Sequence, residues 1–349
     1  KNIFTMQKRK FQFLSKGVLK RIIVLGIGDI PIRMAKIAIK RNINVEIYGG
    51  KRQLKNLDQN GILAIKKIQE SKIKYKILHT LKSYKNGPYY NNPKNTVIFS
   101  FGSPFIISKE LITRYQGRII NCHASPLPEW RGGGGFSWRI LADDRRGNSC
   151  FHLVTKGIDD GKILLQKSYI FPKRVKFPKD YIGYANSQSA KLLPKLIDKI
   201  INGEFFKPIQ QNENKSTYFP RLDSKSQGYI DWSWKGKFIK RFIMAFSHPY
   251  DGAKSFVNNK MVRIYDADFI RTKRTEHSFM RGLIIRKNNR EIFISCNNGI
   301  LKVKESNLKS QSELKLGDRL FTPNSKLEAA LKIRIRYNPS GIVDEKKNK

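Results

Sequence analysis

Arg21-Ile-Ile-Val-Leu-Gly-Ile-Gly-Asp-Ile-Pro31, continued through Ile32–Arg41 to Asn44–Tyr48, is the stretch whose reading decides the fold. Arg21–Leu25 is a short apolar run of the kind buried on both faces of a parallel sheet, and the spacing in Ile32–Arg41 predicts a helix. With Asn44–Tyr48 as the second strand, the chain opens as a β-α-β unit, which predicts a doubly wound, mostly parallel α/β sheet. A dinucleotide fingerprint is not met. Its third glycine position holds Pro31, and the second strand runs into Gly49-Gly50-Lys51 with no acidic residue to hold a ribose. Gly26 and Gly28 are therefore read as a tight turn.

Further strands are expected at Thr96–Phe101, Arg118–Cys122 and Cys150–Val154, with a helix over Ser108–Tyr115. Asn186–Ile201 has the spacing of a long helix closed by Gly203 and kinked at Pro194. Lys207–Ser216 is polar and reads as a linker. Beyond it come a helix over Phe238–Phe246 and short strands at Met261–Tyr265, Leu283–Arg286, Glu291–Cys296 and Ile300–Lys304, the last two joined by the hairpin signal Asn298-Gly299. The expected organisation is a basic lead segment (1–20), an N-terminal α/β domain (21–204), a linker (205–220), a smaller β-rich C-terminal domain (221–340) and a basic tail (341–349).

With 349 residues, 40% of them apolar, the chain has material for two cores. Its net charge is +42, and residues 1–90 carry 21 Lys and Arg against 4 Asp and Glu. Such a field favours polyanionic partners such as tRNA, while its diffuse spread fits a compositional bias equally well. Cys122, Cys150 and Cys296 form no close pair and no zinc spacing, so no metal is expected and a reducing compartment fits. Lacking an apolar run of 18 residues, the sequence offers no membrane span. A cytoplasmic location is expected, with the mitochondrial matrix as the alternative because the segment before Arg21 has no acidic residue and is transit-like.

The chemistry concentrates in Ile119-Ile-Asn-Cys-His-Ala-Ser-Pro-Leu-Pro-Glu-Trp-Arg-Gly-Gly-Gly-Gly135. On a strand, Asn121 and His123 share a face, whereas Cys122 points to the other. Both can donate to an oxygen that gains charge during acyl transfer, and Asp159 can orient the imidazole and assist removal of a proton from an attacking amine. Ser125 lacks a nucleophile-elbow context. Taken alone, Asn-x-His is usually a satisfied strand-end pair, with catalysis the minority reading. His79, His152, His248 and His277 have no partners in sequence, so surface or structural roles are expected. Trp130, Trp138, Trp232 and Trp234 read as packing residues, Gly132–Gly135 as a flexible loop or substrate-approach lid, and Arg271-Thr-Lys-Arg274 as a solvated loop.

Asn121-x-His123-x-Ser125-x-Leu127-Pro128-x-x-Arg131-Gly132, followed by Gly157-Ile158-Asp159-x-Gly161, resembles the signature of the 10-formyltetrahydrofolate-dependent formyltransferases. Ser100-Phe101-Gly102, Thr217-Tyr-Phe-Pro220, Ile230-Asp-Trp232 and Ala245-Phe-Ser-His-Pro-Tyr-Asp-Gly-Ala253 extend the resemblance over about residues 20–325. It implies a Rossmann-like formyltransferase fold and a catalytic trio of Asn121, His123 and Asp159. It also implies a 10-formyltetrahydrofolate donor bound near Gly102, Ser103, Phe105, Ile106, Gly157 and Ile158, and a substrate loop of Ser125, Leu127, Pro128, Arg131, Gly132 and Gly133. The implied acceptor is a primary amine, either methionyl-tRNA, which the basic charge favours, or a nucleotide-linked amino sugar. Gly132–Trp138 and the segment after Gly49 depart from the methionyl-tRNA members. A reading of another class is an inactive formyltransferase-like protein that binds RNA or serves assembly.

Overall fold

The computed structural model describes residues 10–58, 60–81, 92–272, 277–288, 291–310, 314–338 and 341–343. The opening β-α-β unit is present as β1 (Arg21–Leu25), α1 (Asp29–Ile39) and β2 (Asn44–Gly49). It continues with α2 (Ala64–Glu70), β3 (Tyr75–Ile77), β4 (Thr96–Ser100), α3 (Lys109–Tyr115) and β5 (Ile119–His123). After β6 (Arg131–Gly132) and α4 (Gly135–Ala142), the chain returns as β7 (Arg146–Leu153) and β8 (Ile163–Ile170). The resulting seven-stranded sheet has the order β3-β2-β1-β4-β5-β7-β8, parallel up to β5 and antiparallel for β7 and β8.

Alternation along each central strand fills both faces. Ile22 and Val24 of β1 join Val45, Ile47, Val97, Phe99 and Ile120 in a core beneath α1, while Ile23 and Leu25 face Ile98, Ile119 and the α3 residues Leu111 and Tyr115. Four consecutive residues, Ile22 to Leu25, are each at most 2% exposed, and burial of each such side chain contributes about 1.5–3 kcal/mol. At the expected tight turn, Gly26 has φ +126°, and a Cβ there would lie 2.3 Å from the Phe101 carbonyl oxygen. Glycine is thus required by contact between the β1 and β4 ends.

The second sheet is antiparallel, with β10 (Ala253–Val257), β11 (Lys260–Arg271), β12 (Ile284–Lys287), β13 (Ile292–Cys296) and β14 (Gly299–Ser306) in the order β10-β11-β14-β13-β12. The amphipathic helix α7 (Gly236–Phe246) covers it with Ile239, Phe242, Ile243 and Phe246. The same core takes in Ile140, Phe171, Tyr181 and Ala185 from the first unit, so apolar packing is continuous between the two sheets.

Several expectations need correction. The helix expected over Asn186–Ile201 is two, α5 (Pro178–Ala190) and α6 (Leu193–Ile201). Pro194 does not kink α6, because it lies in the first turn, where its missing N–H has no intrahelical acceptor to lose. Within the expected basic lead segment, Phe13 and Leu19 are buried, and Phe11 pairs with Phe206 through two backbone hydrogen bonds. Within the expected linker, Ile209 pairs with Ile163 and Gln211 is buried. The tail 344–349 and Lys273 and Arg274 lie outside the described residues.

Candidate active site

Strand β5 ends where β7 lies against it in antiparallel register, with Asn121 opposite His152 and His123 opposite Cys150. Directly opposed residues share a face, so His152 stands beside Asn121. From the loop between β7 and β8, Asp159 enters between them. Its Oδ1 accepts from Asn121 Nδ2 at 3.2 Å and lies 3.4 Å from His152 Nε2, while its Oδ2 accepts from the Gly132 N–H at 3.0 Å and lies 3.6 Å from His123 Nδ1. The expected trio of Asn121, His123 and Asp159 is therefore brought together, although 38 residues separate its ends.

Hydrogen bonding fixes both imidazoles. His123 Nε2 lies 2.7 Å from the Trp130 carbonyl oxygen, which only accepts, so Nε2 carries a proton and Nδ1 faces the Asp159 carboxylate. His152 Nδ1 donates to the Leu153 carbonyl at 2.9 Å and leaves Nε2 to accept from Asn121 Nδ2 at 3.1 Å. Both Asn121 amide hydrogens are thereby directed at His152 and Asp159. Of the surface and structural roles expected for His152, the surface one is excluded: it is 2% exposed and touches two of the trio.

Burial alone would raise the Asp159 carboxyl. The charge of His123, the nearness of His152 and the Gly132 N–H together outweigh it and hold the group well below the usual carboxylate range. Burial pushes His123 down, against the opposing pull of Asp159 and the Trp130 carbonyl, and His152 adds to the lowering. Burial also pushes the Cys122 thiol up to about 12, which leaves no thiolate to act as a nucleophile near neutral pH.

The substrate-loop residues are a scaffold more than a lid. Ser125 is buried, its hydroxyl accepting from Arg139 Nη1 at 3.3 Å, and Leu127 packs with Cys150 and Ile163. The Pro128 carbonyl accepts from Thr217 N, and Trp130 stacks on Phe219. Arg131 and Gly132 form β6, which pairs with β9 (Tyr218–Phe219), and the Gly133 N–H donates to the Phe219 carbonyl. Gly135 opens α4. The glycine run is thus engaged by strand pairing at Gly132 and by the helix start at Gly135.

Of the residues expected at the folate donor, Ile106 (89% exposed) and Ile158 (56% exposed) offer apolar surface on the loops after β4 and β7, whereas Phe105 is buried in the core beneath α3. A Cβ at Gly102 would meet open space, and its carbonyl accepts from Gln53 Nε2. Ser103 closes a turn by accepting from Phe105 N, and Gly157 N donates to Thr155 Oγ1. Among the described residues no group of three or more His, Cys, Asp or Glu is placed to hold a metal ion, and no helix is long and apolar enough to cross a membrane.

Residues 84–174 match the formyl transferase domain, and residues 224–320 match the formyl transferase C-terminal domain. The chain belongs to the formyltransferase family. It is 28% identical over 253 residues to a methionyl-tRNA formyltransferase of Rickettsia felis, spanning 72% of this chain and 80% of that one. It is 27% identical over 246 residues to the corresponding protein of Caldanaerobacter subterraneus, spanning 69% and 76%. In fold this formyltransferase is similar to an N-formyltransferase of Helicobacter canadensis solved with folinic acid and dTDP-3-aminofucose, at a TM-score of 0.62 and 20% identity over 82% of this chain and 99% of that one. A sugar 3N-formyl transferase solved with dTDP and 5-N-formyl-THF gives the same TM-score and identity over 83% and 98%.

Proposed function

We propose that this formyltransferase moves a formyl group from 10-formyltetrahydrofolate to the primary amine of methionyl-tRNA. The observation that carries the reaction is the convergence of Asn121, His123, His152 and Asp159 on one strand end. The amine lone pair bonds to the formyl carbon, the carbonyl oxygen becomes negative, and the bond from that carbon to folate N10 then breaks. His123 Nε2–H and one Asn121 N–H are the donors for the oxyanion, exchanging the Trp130 carbonyl and the Asp159 carboxylate for it. Asp159, ionised and beside Nδ1, stabilises positive charge on the ring and relays the amine proton toward N10. No protein nucleophile is needed, because the acceptor amine attacks directly.

Two features support the tRNA acceptor: the net charge of +42 and the match to methionyl-tRNA formyltransferases across both family regions. Neutralising phosphates with Lys and Arg releases counterions and makes affinity fall steeply with salt. The test is binding of methionyl-tRNA to the full chain between about 50 and 200 mM salt, where about 10³-fold weakening is expected for some six phosphate contacts. Formylation should follow the same order. Affinity that is absent or flat with salt, with turnover of a dTDP-linked amino sugar, would reassign the acceptor to a nucleotide sugar. Absence of formyl transfer to either would favour an inactive RNA-binding relative.

A further inference from the structure

We propose that Gln211 is a positioning residue for Asp159, tying the turn that carries this carboxylate to the strand that carries Gly132; the inference rests on the reading of Asn121, His123 and Asp159 as the acyl-transfer site. Asp159 has φ +51°, the left-handed region that a residue with a Cβ keeps only when its surroundings hold it there. Gln211 supplies that hold. Its amide nitrogen donates to the Asp159 carbonyl at 2.7 Å and to the Gly161 carbonyl at 2.8 Å, so both hydrogens are spent on one turn. Its amide oxygen accepts from Arg131 Nη2 at 2.8 Å and Nε at 3.2 Å. All four hydrogen-bonding positions of the amide are filled, and the side chain is buried.

The bracket closes a ring around the carboxylate. Arg131 is followed by Gly132, whose N–H donates to Asp159 Oδ2, so Asp159 is gripped through its main chain by Gln211 and through its side chain by the strand that Gln211 also holds. Glu213 braces the outer edge of Arg131 with bonds of 2.7 and 2.8 Å. Ile209 fixes the register of the segment by pairing with Ile163. Only a side chain with two donors and an acceptor at this length fits. Glutamate keeps the Arg131 contact but has no hydrogen for either carbonyl, methionine keeps the shape alone, and asparagine is one methylene short.

The experiment compares Gln211→Met, Gln211→Glu and Asp159→Asn with the parent, using 10-formyltetrahydrofolate and methionyl-tRNA, or a dTDP-linked 3-amino sugar if the tRNA is inert. Val303→Ala, which opens a cavity in the core of the second sheet away from the site, serves as the destabilised control. Both Gln211 variants are expected to lower kcat by about 30- to 100-fold, the effect of ångström-scale misplacement. KM for the folate should stay within about twofold, because uniform binding is untouched. The acid limb of kcat should move to higher pH, since a loosened Asp159 no longer keeps all the contacts that hold it ionised. Val303→Ala should not move that limb. If Gln211→Met does not fold, Gln211→Glu decides, because it preserves the bond to Arg131. An unmoved acid limb in a folded Gln211 variant, or a loss of kcat that Val303→Ala reproduces, overturns the inference while an inactive Asp159→Asn leaves the site reading standing. Full activity in Asp159→Asn overturns both.

Discussion

His123 Nδ1 faces Asp159 Oδ2 across 3.6 Å, while the opposite ring nitrogen is anchored 2.7 Å from the Trp130 carbonyl. One edge of the imidazole is therefore satisfied by the main chain until an oxyanion replaces that carbonyl, and the charge state of the other edge is governed by the carboxylate. Removing that carboxylate while keeping its shape is the most direct probe. Asp159→Asn should lower kcat by about 10²–10⁴-fold, the range for loss of a positioned proton-transfer group. Folate affinity, measured by equilibrium titration, should change little. Near-parental turnover would refute the role given to Asp159.

The same pair predicts how stability depends on pH. Both groups have folded values below their ordinary ones, so the unfolded chain binds more protons as pH falls, and the contribution of each is lost on acidification. The His123 contribution is complete above about 6.5 and declines as pH falls below that value. The Asp159 contribution persists until pH drops below about 3.9. Melting curves should show the parent losing stability from pH 7 to 5, with a shallower slope in His123→Gln. Parallel slopes would contradict the direction assigned to His123.

Gly132→Ala should damage stability and activity together. Gly132 has φ +97°, and an added Cβ would lie 2.3 Å from the Phe219 carbonyl oxygen. The β6–β9 pairing must open, and the Gly132 N–H leaves Asp159. A loss of about 1–3 kcal/mol from the strained conformation, seen in chemical denaturation, is expected with a drop in kcat. A variant as stable and active as the parent would mean that the pairing is dispensable.

Arg139 makes a different prediction, because its fully buried guanidinium is bonded to the Ala124 carbonyl, the Ser125 hydroxyl and the Arg146 carbonyl, with no carboxylate among these partners. It also lies over the Phe171 ring at 5.0 Å. Burying a charge that no carboxylate bonds directly is unfavourable, even with Asp144 near, so a long apolar replacement recovers part of what the lost hydrogen bonds cost. Arg139→Met should cost less than about 2 kcal/mol, and Arg139→Ala about 3–5 kcal/mol through the cavity it leaves. Equal losses in urea denaturation would show that the charge, and not the volume, is what the site needs.

The parallel strands were legible because β1 and β4 have continuous apolar centres, Ile22–Leu25 and Val97–Phe99, and β2 carries Val45, Ile47 and Tyr48 on a short β-prone stretch. Asn121, His123 and Asp159 were legible through spacing and family resemblance. His152 was not, since nothing near it in sequence is a partner, and only the antiparallel return of β7 sets it opposite Asn121, 31 residues away. Gln211 lies among Asn, Gln and Lys, a composition that reads as solvated, and a buried glutamine is told from an exposed one only by the carbonyls it meets. The start of α5 was missed because Gly183 and several polar residues blur its apolar period, while α6 has a strong one.

The pairing of Phe11 with Phe206 has a topological consequence. Phe11 N donates to the Phe206 carbonyl at 3.0 Å and Phe206 N to the Phe11 carbonyl at 2.7 Å, so two segments far apart in sequence are clasped at one edge of the first unit. Beyond Phe206 the chain stays on that unit, through Ile209 against Ile163 and β9 against β6. Force applied from the C-terminal side would therefore load the β6–β9 ladder, and with it the Gly132 N–H on Asp159, before it reached the Phe11–Phe206 clasp.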